Sequence, residues 1–320
     1  MKLEKLFAGL LSGSGQRARL STLIFHRVRP AMDPYAPRAL HARRFDDMLG
    51  WLGDVFNVLP PDEAIVLLAR GALPPRALTI TFDDGYADNA EVAMPILQRH
   101  GMRAAFFIAT DFLDGGVMWN DKITLALRGA PSGTLELARI GLEDVQLGDV
   151  ASRRNAIEKV IGTLKYLPPA QRVEKVDRLV ELAGVSLPRD LMMSTAQVRA
   201  LRAGGMVIGG HTCAHPILAS LPPDEAEREI RDNKARLEAI LGEAITLFAY
   251  PNGGPGKDYR AEHARMAERA GYAAAFTTGW GVSRRGEDPY QLARFTPWDE
   301  SRGAFVRRLI LNMRQAATQV

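Results

Sequence analysis

The 320-residue chain has one cysteine, Cys213, so no internal disulfide can form and a structural zinc site of several thiolates is excluded. No stretch approaches the roughly 18 consecutive apolar residues of a membrane-spanning helix. No run of five Lys or Arg residues occurs, and 41 basic side chains exceed 37 acidic ones by only four. Nucleic acid binding therefore has no compositional support. Fixed-period repeats and low-complexity tracts are absent as well. Histidine is scarce, six in all, which gives weight to any two that fall together. What is present is ordinary: 47% hydrophobic and 24% charged residues, the balance of a soluble globular protein rather than a disordered one.

The two ends of the chain have their own character. Residues 1–20 form an amphipathic segment whose apolar run, 6–11, is short and is preceded by Glu4. The polar, basic stretch 12–19 offers no small-x-small cleavage site, so the expectation is a cytoplasmic protein without an integral membrane segment. A peripheral membrane contact through this helix stays open. Residues 301–320 read as a C-terminal helix, basic and amphipathic over 305–313. Both helices are expected to pack on the body, 21–300.

Within that body, short apolar runs alternate with helical patterns. Strands are expected at 22–25, 55–59, 77–82, 104–109, 206–208, 246–250 and 273–277. Helices are expected at 45–52, 63–69, 89–100, 197–203, 223–241 and 259–270. Gly71 and Gly101 stop two of them, Ser194 caps one, and Pro222-Pro223 opens another, whose stripe is Ala226, Ile230, Leu237 and Leu241. Residues 132–190 break the rhythm with two helical patterns, 153–167 and 170–183, and read as a helical insertion. The alternation predicts an α/β fold with a parallel, barrel-like sheet, in which chemistry collects at the C-terminal strand ends. His26, Asp83-Asp84, His211 with His215, and Pro251-Asn252 all follow strand ends.

Asp83 and Asp84 are neighbours at the end of a strand. Side chains alternate along a strand, but a turn can bring both carboxylates to one cavity; two like charges buried there need a metal or a proton between them. Asp-Asp-Gly is also a good turn sequence in its own right. His211 and His215 are four residues apart, a spacing at which both imidazoles can face one ion. Pro216 disfavours a regular helix at His215. One carboxylate and two imidazoles leave coordination positions open, as a catalytic divalent site requires. Cys213, between the histidines, reads as a small buried residue.

These motifs resemble the polysaccharide deacetylase family, also called carbohydrate esterase family four or the chitooligosaccharide deacetylase homology domain. Thr81 to Gly85 matches the first motif of that family and His211 to His215 the second. Phe248 to Gly253 matches a Phe-x-Tyr-Pro variant of the third. The likeness runs from about Leu23 to Trp298. It implies a distorted (β/α) barrel, here with a helical insertion, that removes N-acetyl groups from a carbohydrate. It assigns Asp84, His211 and His215 to a divalent metal, usually zinc; the donor set also admits cobalt, nickel, iron or manganese. Asp83 becomes the general base, and a backbone N–H near Tyr86 an oxyanion donor.

Two positions depart from the family pattern. Ala249 stands where an arginine commonly bonds the catalytic aspartate, and Leu292-Ala293-Arg294 stands where Leu-x-His commonly supplies the acid. Arginine stays protonated at neutral pH, so Arg294 is expected either to stabilise negative charge or to orient Asp83. His26 is left as proton donor, substrate-orienting group or a hydrogen-bonded barrel histidine. Trp119, Asp121, Trp280, Pro251 and Asn252 are candidates for sugar contact; Trp119-Asn120-Asp121 reads equally as a helix start. Two other functions fit the same residues: a silent glycan-binding protein, and a hydrolase of O-acetyl esters or other amides.

Overall fold

The computed structural model describes residues 2–296 and 298–320. In chain order it contains α1 (Lys2–Ser12), β1 (Arg19–Phe25), α2 (Ala42–Val55), β2 (Asn57–Val58), α3 (Pro61–Arg70), β3 (Ala77–Phe82), α4 (Met94–Arg99) and β4 (Ala105–Ile108). Then come α5 (Trp119–Gly129), β5 (Gly133–Leu135), β6 (Val145–Leu147), α6 (Val150–Leu164) and α7 (Pro169–Ala183). The last part holds α8 (Thr195–Ala203), β7 (Val207–Gly210), α9 (Pro223–Leu241), β8 (Leu247–Ala249), α10 (Ala261–Arg269), β9 (Ala274–Phe276), β10 (Ser283–Arg284) and α11 (Arg302–Asn312). The chain divides into two compact units, one of Met1–Ala31, Leu40–Leu113 and Met193–Val320, the other of Met32–Ala39 and Asp114–Met192.

The first unit is built on a curled sheet of order β10-β1-β3-β4-β7-β8-β9, with β2 beside β3. Every pairing from β1 through β9 is parallel, as the alternation of strands and helices predicts; only β10 runs antiparallel, against β1. The segment 292–295 bridges β9 through Leu292 and Phe276, and β1 through Phe295 and Leu23. These single bridges almost close the ring, which makes the architecture a distorted, incomplete (β/α) barrel.

Strand side chains alternate between two cores. Leu20, Ala105, Phe107, Val207, Leu247, Ala249, Ala274 and Phe276 fill the inside of the barrel. Their neighbours Leu23, Ile80, Phe82, Phe106, Ile108, Ile208 and Phe248 face the surrounding helices. This period-two division explains why the strands read as nearly continuous apolar runs. Gly209 is required by the inner layer: a Cβ there would lie 2.4 Å from the Phe107 ring.

Helix ends follow local chemistry. α3 and α9 open on Pro61 and Pro223 and close on left-handed Gly71 and Gly242. Ser194 and Gln197 form a reciprocal capping box at the start of α8. Several elements differ from expectation. The strand expected at 55–59 shrinks to β2, because α2 runs on to Val55 to bury Leu52 and Val55. The helix expected from residue 89 starts with a π turn, Asn89–Ala93. Leu241 is only partly buried, and Asn233 occupies the buried stripe of α9 instead.

The second unit packs α5, α6 and α7 round a core that includes Ile123, Leu127, Val160, Leu164, Val176 and Leu179. It also holds an antiparallel hairpin, β5 with β6, where only helices were expected. Arg153 donates to the carbonyls of Leu127 and Ala130 at 2.8 Å each, capping the C-terminal end of α5 with positive charge.

Candidate metal centre

β3 carries Thr79 and Thr81 on its inward face, and Asp83, the residue that follows the strand, continues that alternation. The Asp83 N–H still bonds the Phe25 carbonyl of β1 at 2.9 Å, so this carboxylate is held in strand register. Asp84 then turns into the left-handed region, with φ of 79°, and Gly85 follows at 90°. That turn keeps both carboxylates at one cavity, and both are buried.

His211 and His215 come from the loop after β7. The loop is irregular rather than helical, with Thr212 at φ 63° and His215 at φ 54°. Thr212 Oγ1 accepts from the His215 N–H at 3.1 Å, which folds the second histidine back toward the first. The His211 Nδ1 lies 2.7 Å from the Ala249 carbonyl. A carbonyl only accepts, so Nδ1 carries a proton, and in the neutral ring Nε2 is then the electron-pair donor. The Nε2 atoms of His211 and His215 stand 3.4 and 3.3 Å from Asp84 Oδ1. One ligand atom from each of the three residues lies within 4.8 Å of the others. Asp84 Oδ1 is buried and makes no hydrogen bond. Burial alone would raise the Asp84 carboxyl; the facing imidazoles, when Nε2 carries a proton and can donate to it, together with the positive charge of His215 and His26, hold it well below the ordinary carboxylate value. A buried carboxylate oxygen facing two imidazole Nε2 atoms suits a divalent cation, and this triad forms a metal-binding site.

Asp83 faces Arg294 beside the triad. Arg294 reaches it from the closing segment 292–295, with Nη1 donating to Oδ1 at 2.6 Å and Nη2 to Oδ2 at 2.8 Å. Its Nε donates to the Thr277 carbonyl at 2.8 Å, and the guanidinium lies over the Phe107 ring inside the barrel. Both partners are buried, Arg294 completely. Burial would raise Asp83, but Arg294, with His211 and His26, keeps it below the ordinary carboxylate value. Asp83 is therefore ionised at neutral pH. Arg294 thus binds both oxygens of the Asp83 carboxylate in parallel. Ala249 lies fully buried on the inner face of β8.

The remaining sequence candidates fall in different places. His26 directly follows β1, is exposed, and lowers both Asp83 and Asp84 by its charge. Tyr86 is buried beneath the Arg27 guanidinium, 4.5 Å from its ring centre. Pro251 is buried and Asn252 half-buried, with φ of 58° at Asn252, the fourth non-glycine left-handed residue among these loops. Trp280 is 42% exposed, one face against Phe295. Trp119 and Asp121 belong to the second unit, in the first turn of α5, and the Arg172 guanidinium covers the Trp119 ring at 4.8 Å. Neither Asn120 nor Asp121 caps that helix; Met118 holds the N-cap position.

Sequence reading overlooked the support behind the histidine loop. Asn233 Oδ1 accepts from the His211 N–H at 3.1 Å, and its Nδ2 donates to the Ile108 carbonyl at 2.9 Å and to the Thr212 carbonyl. One turn earlier on α9, Glu229 Oε2 accepts from the N–H groups of Cys213 and Ala214 at 2.8 and 2.9 Å. A polar residue inside the apolar stripe of α9 was the available signal.

The profile of the polysaccharide deacetylase family matches residues 70–166 and 170–275. The chain belongs to this family. The matched residues cover more than half of this deacetylase-family chain and include both aspartates and both histidines, while His26 and Arg294 lie outside them. YxkH of Bacillus subtilis (strain 168) is 24% identical over 279 residues, 87% of this chain and 71% of that protein. Among solved structures, the Streptococcus pyogenes deacetylase PplD in complex with acetate aligns with a TM-score of 0.60 at 18% identity, covering 92% of this chain and 98% of that one. IcaB from Ammonifex degensii aligns equally well, 0.60 at 20% identity, over 93% and 98%. At such identities the two structures establish the shared fold.

Proposed function

We propose that the protein is a metal-dependent hydrolase that removes N-acetyl groups from a carbohydrate, zinc being the metal its donor set fits best. The observation that carries this reading is the Asp84–His211–His215 triad, ligand atoms within 4.8 Å, set beside the buried Asp83–Arg294 pair. When bound, a divalent ion in such a site supplies Lewis acidity, making water a competent nucleophile near neutral pH and polarising an acyl oxygen. Asp84, His211 and His215 hold it. Asp83 takes the proton of the attacking water on its carboxylate, and Arg294 keeps that carboxylate ionised and aligned. The backbone N–H near Tyr86 donates to the oxygen that gains negative charge. As the carbonyl carbon gains a C–O bond and loses its C–N bond, the leaving nitrogen takes a proton from His26. Exposed Trp280 offers a flat apolar face to a sugar ring, with Pro251 and Asn252 on the next loop.

The family membership and the fold support this reading, and acetate, held by PplD in its structure, is the product the reaction would release here. The Phe248-Ala249-Tyr250-Pro251 form of the third motif marks a variant in which Arg294 replaces the missing arginine in space. The test is acetate release from an N-acetylglucosamine oligomer, before and after chelation and again after metal is restored. Release that stops with chelation and returns with metal is the expected result. Release only from an O-acetyl substrate would reassign the bond, and no release from any glycan under metal-loaded conditions would favour a silent binding protein.

A further inference from the structure

α1 is amphipathic in an inverted sense. Its inward face is small and polar: Ala8 and Ser12 are fully buried, Glu4 bonds Arg302 of α11 at 2.9 and 3.0 Å, and Ser12 Oγ accepts from the Arg76 N–H at 2.8 Å. Its outward face is apolar. Leu3, Leu6, Phe7 and Leu10, spaced i, i+3, i+4 and i+7, are 69, 57, 55 and 71% exposed. The sequence expectation of a helix packed on the body holds, but the apolar stripe points to solvent. No other segment among the described residues gathers exposed large apolar side chains so closely. On α11, against which α1 packs, Leu311 is also exposed, with exposed Arg307 and Arg314 four residues before and three after it. Exposed Lys5 stands on α1 between the buried face and the stripe.

We propose that this face docks on a lipid bilayer carrying anionic headgroups. A helix with an apolar stripe and flanking cations is the arrangement that lies in a membrane interface, side chains buried at the acyl boundary and ammonium or guanidinium groups among the headgroups. The alternative occupant, a second copy of the chain, is disfavoured by area: one stripe of four side chains falls short of the roughly 800 Å² per partner that a stable dimer buries. Docking here has a definite orientation. α1 ends beside Arg76, which immediately precedes β3, so it lies at the N-terminal strand ends. The triad sits at the C-terminal ends, so a docked molecule presents its site to solution rather than to the bilayer.

The experiment is co-sedimentation of the full chain with phosphatidylcholine vesicles, with and without phosphatidylglycerol, for wild type, Leu6→Glu/Leu10→Glu, Lys5→Glu and a Val66→Glu control. Val66 is a single exposed apolar residue on α3. Circular dichroism and zinc titration verify that each variant is folded. The expected result is binding to the anionic vesicles, unchanged in the control and weakened on the order of tenfold or more in the double variant. Lys5→Glu should weaken binding to anionic vesicles only, and it carries the test if the double variant fails to fold. Absence of vesicle binding, equal binding by all four proteins, or a concentration-dependent dimer lost in the double variant without vesicle binding would each overturn the proposal.

Discussion

Arg294 grips Asp83 across 211 residues of chain, Nη1 to Oδ1 at 2.6 Å and Nη2 to Oδ2 at 2.8 Å, and both side chains are buried. A parallel pair of charge-assisted bonds fixes both the distance and the plane of the carboxylate, which one ammonium cannot do. Arg294→Lys is therefore expected to lower kcat roughly 10–100-fold while leaving metal affinity in place. Arg294→Ala leaves a buried carboxylate unpaired and should cost about 3–5 kcal/mol of stability as well. Denaturant titration with steady-state kinetics checks both, and a fully active Arg294→Ala protein would refute the orienting role.

His26 is the imidazole proposed to protonate the leaving nitrogen. His26→Gln retains a hydrogen-bonding side chain but cannot titrate, so kcat for an N-acetyl substrate should fall about 10²–10⁴-fold. Zinc affinity should not move. The informative comparison is an acetyl ester with a good leaving group, which needs no proton donor and should be hydrolysed nearly as fast by the variant. Equal losses on both substrates would assign His26 to substrate positioning instead.

The histidine loop depends on α9. Asn233 joins the His211 N–H to the carbonyls of Ile108 and Thr212, and its side chain is completely buried. Asn233→Ala leaves those groups unpaired and the backbone of the loop less constrained. Zinc affinity is predicted to fall about 10–100-fold, the usual consequence of removing a group that orients a ligand. Calorimetric titration of folded variant and wild type decides it. Indistinguishable affinities would show that Thr212 and Glu229 suffice.

How much of this was legible beforehand follows from chain distance. Asp83 with Asp84, and His211 with His215, are local patterns at strand ends, so their meeting could be read from spacing and from an expected parallel barrel. The family likeness offers the Asp83–Arg294 pairing as one of two roles for Arg294, but its bidentate geometry depends on how 292–295 bridges β9 and β1, a tertiary closure that no local pattern records. Asn233 is not legible because a lone polar residue within an apolar stripe carries no period of its own, and its partners lie on other elements. The β5–β6 hairpin escaped for a related reason: two three-residue strands are too short to show a period. The outward stripe of α1 could not be foreseen either, since a sequence shows that a helix is amphipathic and not which face meets the body.

Asp88 gives a pH dependence independent of the metal. Burial pushes its carboxyl up, more than Arg27 at 2.7 Å and the Val28 N–H pull it down. The native state therefore holds this proton more tightly than the unfolded chain. The linked stability is greatest below the unfolded value of about 3.9 and is lost as pH rises through the raised folded value. Asp88→Asn lacks this term. Wild type should gain stability relative to the variant as pH is lowered from neutral into that window, measured by denaturant unfolding at several pH values. A gain in the opposite direction would mean that the Arg27 pair dominates.

The central claim is that Asp84, His211 and His215 bind one ion while Asp83 serves the chemistry. Zinc titration of wild type, Asp84→Ala and Asp83→Asn, with acetate release followed on the same samples, tests it most directly. The predicted result is one ion per chain in wild type and in Asp83→Asn, release only by wild type, and neither binding nor release by Asp84→Ala. Tight stoichiometric zinc in Asp84→Ala, or none in wild type, would contradict the account.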